Sequence, residues 1–176
     1  MKKYKLKFKT GFTLIELLVA LGVFMVVMTI TLSAFINIMD IQNKTESFRK
    51  VNDNLNFAME AMMREIREGK NYCQECMEGT ISFTNKDETK TIEYKLNTEE
   101  YIIERKENSG GWIRMTSEGV KITRLSFSVS GEETYPGDKQ QPLVTISIGG
   151  ESGEKEKLKS RLDLQATVSQ RKLDSR

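Results

Sequence analysis

The sequence contains no histidine, and this absence excludes several classes of enzyme. Ser-His-Asp and Cys-His triads, HExxH zinc sites and histidine proton shuttles all require an imidazole. The sequence also lacks a GxGxxG motif, a P-loop and an EF-hand loop, the usual patterns for binding nucleotides and calcium. We therefore expect a protein that is not an enzyme and that uses neither a cofactor nor a metal ion.

An excess of positive charge is also missing from most of the chain. The 176 residues carry 27 Lys and Arg against 25 Asp and Glu, a formal net charge of +2. Five of the lysines lie in residues 1–11, where there is no acid, so 22 bases face 25 acids in the remainder, a net charge of −3. A globally basic surface for nucleic acid is therefore not indicated.

The basic segment is followed at once by an apolar one. Residues 12–39 contain 21 apolar side chains among 28, and Glu16 carries the only charge. The uncharged stretch 17–39 would measure about 34 Å as a helix, enough to cross a hydrocarbon core of about 30 Å. It is longer than a secretory h-region, and no A-x-A site follows it. We expect a single membrane span at 12–39, with the lysines cytoplasmic and the C-terminal domain outside the cytoplasm.

Residues 9–16 read KTGFTLIE. This segment resembles the prepilin signature of type IV pilins and type II secretion pseudopilins. The resemblance implies that prepilin peptidase removes residues 1–11 by cutting between Gly11 and Phe12, that Phe12 is then N-methylated, and that Glu16 becomes the fifth mature residue. It further implies assembly with other pilin or pseudopilin subunits on an inner-membrane platform.

Glu16 has a physical interpretation of its own. An ionised carboxylate in an apolar helix costs several kcal/mol unless it is paired, so an acid there indicates function. Cleavage before Phe12 would create a cationic amine, and an axial offset between packed helices would bring the Glu16 of one subunit to the Phe12 amine of the next. Such a pair would fix the register of the helices. The alternative is that Glu16 lies at the headgroup boundary of an ordinary signal anchor.

The helical period continues beyond the apolar segment. One row repeats every seven residues and a second row lies beside it: Ile41, Phe48, Leu55 and Met62, then Ile38, Met59 and Ile66. No proline or glycine occurs between residues 23 and 68. We predict one helix from about Phe12 to about Glu68, ended by Gly69, with an amphipathic second half at 40–70. The cluster of Met59, Met62 and Met63 is interpreted as core packing.

Residues 71–176 change to an alternating pattern, which predicts an antiparallel β head. The apolar residues that mark the predicted strands are Ile81 and Phe83; Ile92, Tyr94 and Leu96; Tyr101 and Ile103; Trp112 and Ile113; Val120 and Ile122; Leu125, Phe127 and Val129; Val144, Ile146 and Ile148; and Leu162, Leu164, Ala166 and Val168. A phase shift near Arg124 predicts a bulge, and one face of the sheet would cover the inner row of the helix. We expect an α+β fold, and the resemblance implies that it is a type IV pilin-like fold. The layout resembles J-type minor pseudopilins and W-type minor pilins.

Cys73 and Cys76 form the only Cys-x-x-Cys. A structural disulfide in an extracytoplasmic domain fits their location and number. Two free thiols, a thioredoxin-type redox pair and a zinc half-site are the alternatives, although the last two lack the usual context or further ligands. A second local feature, the charged run 153–161, is interpreted as a solvated hairpin tip rather than a DNA contact, because no aromatic residue interleaves its charges.

These observations predict a minor pilin or pseudopilin, a structural subunit of a type IV filament that is first held in the cytoplasmic membrane and then assembled through its N-terminal helix. The alternative is a signal-anchored extracytoplasmic domain that binds a ligand or uses Cys73 and Cys76 in thiol redox chemistry. The alternative would retain residues 1–11 or lose a longer segment, whereas the filament subunit would begin at Phe12.

Overall fold

A computed structural model describes residues 11–73, 79–131, 141–153 and 155–171. The chain forms two compact units, Met1–Gln42 and Asn43–Arg176, which are described separately below. The elements in chain order are α1 (Leu14–Glu68), β1 (Thr80–Thr84), β2 (Thr91–Asn97), β3 (Ile102–Glu107), β4 (Ile113–Arg114), β5 (Lys121–Ser130), β6 (Leu143–Ser152), a 3-10 turn (Glu156–Leu158) and β7 (Ser160–Ser169). The predicted long N-terminal helix followed by antiparallel strands is confirmed.

The part of α1 in the first unit exposes its apolar side chains. Every residue from 14 to 39 is exposed, and among the described residues this is the one helix long and apolar enough to cross a membrane. The hydroxyls of Thr29, Thr31 and Ser33 each donate to the backbone carbonyl four residues earlier, at 2.8–3.0 Å. These polar groups are therefore satisfied within the helix, as a lipid environment requires.

The part of α1 in the second unit buries one stripe of its surface. Its buried residues are Val51, Leu55, Ala58, Met59, Met62 and Ile66. The predicted inward positions Leu55, Met59, Met62 and Ile66 are thus confirmed. The row does not extend further toward the N-terminus: Phe48 is 46 % exposed and Ile41 is 65 % exposed. Side-chain periodicity marks a helix face along its whole length, but burial depends on where other elements cover it, and the buried stripe begins at Val51.

The helix ends at Glu68, as predicted from Gly69. The Gly69 amide donates to the Ile66 carbonyl at 3.0 Å, and the Tyr72 hydroxyl donates to the carbonyls of Ile66 and Gly69 at 2.6 and 3.0 Å. These bonds satisfy carbonyls that a helix end leaves without partners. A Cβ atom at Gly69 would lie only 2.5 Å from Cδ2 of Phe83, so the close approach of β1 also requires glycine.

The described strands form two antiparallel sheets where the sequence pattern predicted one. Strands β1 to β4 pair in chain order in the first sheet, and β5 to β7 pair in chain order in the second. In the first sheet the meander is confirmed, but Tyr101 lies in a turn with φ of 56° and Trp112 precedes β4. In the second sheet the predicted bulge is confirmed, because the β5–β6 register shifts between Ile122 and Arg124.

A single core joins the second-unit part of α1 to both sheets. Tyr94, Phe83, Leu55, Met62 and Ile146 are among its largest fully buried side chains. The second sheet approaches the helix closely at Gly150, where a Cβ atom would lie 2.8 Å from Cδ1 of Leu55. Helix and sheets therefore pack without room for an added methyl group at this point.

Candidate functional site

The predicted cleavage position lies just before the helix begins. Gly11, Phe12 and Thr13 have no regular secondary structure, and α1 starts at Leu14. The Phe12 side chain is 87 % exposed, and no atom lies within 4 Å of a Cβ placed on Gly11. An exposed, non-helical backbone with a small residue is the kind of segment that peptidases cut. The local geometry is therefore compatible with a peptidase acting between Gly11 and Phe12.

Glu16 closes a capping box with Thr13 at the start of α1. The backbone amide and the hydroxyl of Thr13 both donate to Oε2 of Glu16 at 2.9 Å, and the Glu16 amide donates to the Thr13 hydroxyl at 3.3 Å. The helix proper begins with the Leu17 amide donating to the Thr13 carbonyl at 3.2 Å. Thr13 is thus the N-cap and Glu16 the third helical residue, the arrangement that satisfies two N-terminal donors reciprocally.

This cap has consequences for the carboxylate. Glu16 is exposed, and both bonds from Thr13 fall on the same oxygen, Oε2. The carboxylate is held at the N-terminal end of the helix, where the backbone dipole favours negative charge. The cap was not among the surroundings expected for Glu16 from the sequence, which were an amine of another subunit or the headgroup boundary, although the T-x-x-E spacing of Thr13 and Glu16 indicates it.

Cys73 lies between the helix and β1. Its amide donates to the Ser82 carbonyl at 3.0 Å, and the Ser82 amide donates to its Sγ at 3.3 Å. Cys76 lies outside the described residues, so the disulfide between Cys73 and Cys76 stays a prediction. Within the described ranges, no group of three or more Cys, Asp or Glu side chains could hold a metal ion.

A polar network joins α1 to the first sheet inside the second unit. Glu65 accepts through Oε2 from the Tyr94 hydroxyl at 2.7 Å and from Nε of Arg105 at 3.0 Å. Arg105 also contacts Glu107 at 3.2 Å, and Glu107 pairs with Lys90 at 2.8 Å. Periodicity along the sequence does not indicate this network, because its members come from α1, β2, β3 and the segment between β1 and β2.

The protonation states in this network follow from its geometry. Burial, reinforced by the bond to Glu65, raises the pKa of Tyr94. The hydrogen bond to Glu65 raises the pKa of Arg105, and bonds from Lys90 and then Arg105 lower the pKa of Glu107. Tyr94 therefore stays neutral and donates, while the Glu107 carboxylate stays ionised. The network links the second-unit part of α1 to the first sheet.

Comparison with known protein families identifies the N-terminal segment. Residues 6–32 match the family model described as the prokaryotic N-terminal methylation motif. The match includes Gly11, Phe12 and Glu16, and it indicates a type IV pilin-like or pseudopilin-like subunit. No curated protein and no solved structure is significantly similar to the chain.

The motif has several direct implications. Its family is structural rather than enzymatic, and it implies processing by prepilin peptidase and assembly with other pilin subunits. Together with the apolar N-terminal helix, it fits a membrane-anchored pilin. The match over residues 6–32 therefore supports the resemblance to type IV pilin-like proteins that residues 9–16 indicated.

Proposed function

We propose that this chain is a minor pilin or pseudopilin that is cut between Gly11 and Phe12, N-methylated on Phe12, and assembled into a type IV filament through α1. Its precursor spans the cytoplasmic membrane once, through residues 12–39, with the β head outside the cytoplasm. Interaction with membrane lipid and with an inner-membrane assembly platform belongs to the same proposal. The J-type and W-type minor subunits are the classes its layout resembles most.

The observation that carries the proposal is the Thr13–Glu16 cap beside the predicted cleavage position. Cleavage after Gly11 converts the Phe12 amide nitrogen into a cationic amine, and N-methylation leaves that charge in place. Oε2 of Glu16 already accepts two bonds from Thr13, so the carboxylate is held in place before any partner arrives. A second subunit shifted along the helix axis would then bring its own amine to a fixed acceptor, and a pre-organised acceptor lowers the ordering cost of association.

The cost of desolvating the Glu16 carboxylate and the Phe12 amine explains how their pairing would direct assembly. A carboxylate in an apolar environment costs several kcal/mol unless it is paired, and the two bonds from Thr13 offset only part of that cost. The amine of a neighbouring subunit supplies the missing charge. Correct register therefore neutralises both groups, whereas a slipped register leaves two unpaired charges among apolar side chains.

Mass spectrometry of the protein recovered from its native membrane tests the processing step. We expect loss of residues 1–11 and an added methyl group on the new N-terminal Phe12. A Gly11→Leu variant replaces the small residue at the cut position with a bulky one and should accumulate as precursor. An intact N-terminus, or a cut near Ala34, would instead support the signal-anchored binding or thiol-redox domain and overturn the filament proposal.

A Glu16→Gln substitution tests the assembly step separately. Glutamine keeps the size and one acceptor oxygen toward Thr13 but removes the charge, so we expect normal cleavage and methylation with at least tenfold less subunit in sheared filaments. Thr31→Val is the matched control, because the Thr31 hydroxyl bonds only the Val27 carbonyl of its own helix. Filament incorporation of Glu16→Gln equal to that of Thr31→Val would contradict the charge-pair mechanism.

A further inference from the structure

Asn37 is an amide side chain on the exposed apolar part of α1. The hydroxyls of Thr29, Thr31 and Ser33, which precede it, each bond a carbonyl of their own helix at 2.8–3.0 Å. Further along α1, the side-chain amide of Asn54 likewise bonds the carbonyl four residues earlier at 2.8 Å. The Asn37 side chain, by contrast, has no hydrogen-bond partner within the part of the chain that the structure describes.

An amide without partners is costly in the surroundings that this part of α1 requires. The adjacent Ile36 and Ile38 are 60 % and 52 % exposed, so lipid or another subunit has to cover them. A side-chain amide has two N–H donors and an acceptor oxygen, and burying these groups unpaired costs free energy. A bond from Asn37 to its own helix would still leave one donor and the oxygen unpaired. Asn37 therefore favours a polar group on a neighbouring helix, as polar residues do between packed membrane helices.

The spacing between Glu16 and Asn37 places both on one side of the helix. They are 21 residues apart, which is three heptads. Such positions share a face in supercoiled helices and differ by about 60° around a straight helix. The same 21 residues measure about 31 Å along the axis, close to the thickness of a hydrocarbon core of about 30 Å. A neighbouring helix that contacts Glu16 can therefore also contact Asn37, at the other end of the span.

The proposed pair between Glu16 and the Phe12 amine fixes the axial offset of two such helices. Phe12 precedes Glu16 by four residues, so the pair sets each residue of one copy level with the residue four positions earlier in its neighbour. Asn37 is then level with Ser33 of the neighbouring copy. The Ser33 hydroxyl donates to the Thr29 carbonyl at 3.0 Å, and its oxygen still has lone pairs that can accept a bond.

We propose that Asn37 donates a hydrogen bond to the Ser33 hydroxyl of a neighbouring copy of this chain, and that this bond fixes the register of packed α1 helices together with the Glu16–Phe12 pair. The inference rests on the proposed assembly through α1. A second copy is the partner because its Ser33 stands at the level that the four-residue offset requires. A single asparagine sets the register of coiled coils by the same principle, since a slipped helix leaves the amide unpaired.

Cysteine cross-linking of two differently tagged full-length chains tests the offset. One chain carries Ser33→Cys and the other Asn37→Cys, and both are produced with prepilin peptidase in the same membranes. After oxidation, we expect the dimer that joins the two tags to exceed either single-tag dimer at least fivefold. Unsubstituted tagged chains give the background from Cys73 and Cys76. A predominant dimer of the Asn37→Cys chain with itself, or no dimer above background, would overturn the offset pairing.

A double-mutant cycle tests the hydrogen bond itself. Asn37→Leu and Ser33→Ala should each lower the amount of subunit in sheared filaments at least threefold, and the double variant should lose no more, because both changes remove the same bond. Ile36→Leu is the matched control and should assemble normally. Unchanged assembly of Asn37→Leu, or losses that multiply in the double variant, would contradict the bond. Removal of residues 1–11 and assembly of the unsubstituted chain report the proposed function independently, so the two failures are distinguishable.

Discussion

In the first unit, residues 14–39 of α1 leave their apolar side chains exposed, whereas in the second unit the same helix buries a stripe that includes Leu55 and Met62. Both segments are α-helical, but the first exposes its apolar side chains and the second buries a stripe of them. Apolar area removed from water stabilises a fold by about 25 cal/mol per Å². In the second unit the head itself supplies that burial, and in the first unit only lipid or neighbouring subunits can supply it. The difference indicates which segment holds the head together and which is left for assembly.

The largest difference in stability between the two segments is expected when an isoleucine in each is replaced by alanine. Ile66 is fully buried, so Ile66→Ala should lower the free energy of unfolding of the head by about 2–5 kcal/mol through lost burial and a residual cavity. Ile36 is 60 % exposed, and Ile36→Ala should leave head stability within about 0.5 kcal/mol. Urea unfolding of the full chain in detergent, followed by the fluorescence of the single Trp112, measures both. Equal losses of unfolding free energy in the two variants would contradict the inference that only the second segment stabilises the head.

A smaller effect is expected for a glycine in each segment. Gly69→Ala places a methyl group 2.5 Å from the buried ring of Phe83 and should cost about 1–3 kcal/mol of head stability. A Cβ atom at Gly22 meets nothing within 4 Å, so Gly22→Ala should leave the unfolding of the head unchanged. The same Trp112 measurement applies, and a stable Gly69→Ala head would show that β1 can move away from the helix end.

The smallest expected effect is a loss of head stability at alkaline pH, caused by ionisation of Tyr72 in the second unit. Burial raises the pKa of Tyr72 to about 12, above the value of about 10 expected in the unfolded chain. A raised folded-state pKa stabilises the head below pH 10, and this stabilisation is lost as pH rises from about 10 to about 12, with a slope of roughly 1 kcal/mol per pH unit. Unfolding at pH 8, 10 and 11 should show a shallower decline for Tyr72→Phe. An identical decline in both proteins would exclude Tyr72 as a contributor.

Sequence patterns were most informative where a feature depends on neighbours in the chain. The apolar run, the helix end at Gly69 and the bulge near Arg124 all follow from local spacing, and the structure confirms the last two directly. The segment 9–16 indicated the pilin-like family for the same reason. A peptidase recognises a short continuous stretch of chain, and a packed helix presents one. A motif of consecutive residues is therefore enough to indicate such a segment.

Features that depend on distant elements could not be predicted in this way. Phe48 shares the inner face of the helix but is exposed, because burial begins only where the sheets cover the helix. The network of Glu65, Tyr94 and Arg105 joins residues up to 40 positions apart, and no pattern along the chain reports such a meeting. The division of the seven described strands into two sheets likewise depends on packing.

The order of residues alone predicts a prepilin-like start, an apolar segment long enough to span a membrane, one long helix and an alternating head, in a chain without histidine. Each of these depends on residue type and short-range periodicity. The three-dimensional structure was needed to show that Thr13 and Glu16 close a cap, that the buried stripe begins at Val51, and that the Ser160 hydroxyl bonds the Lys44 carbonyl. These features depend on the positions of side chains in space, and those positions are set by the packing of the whole head or by the geometry of the first helical turn.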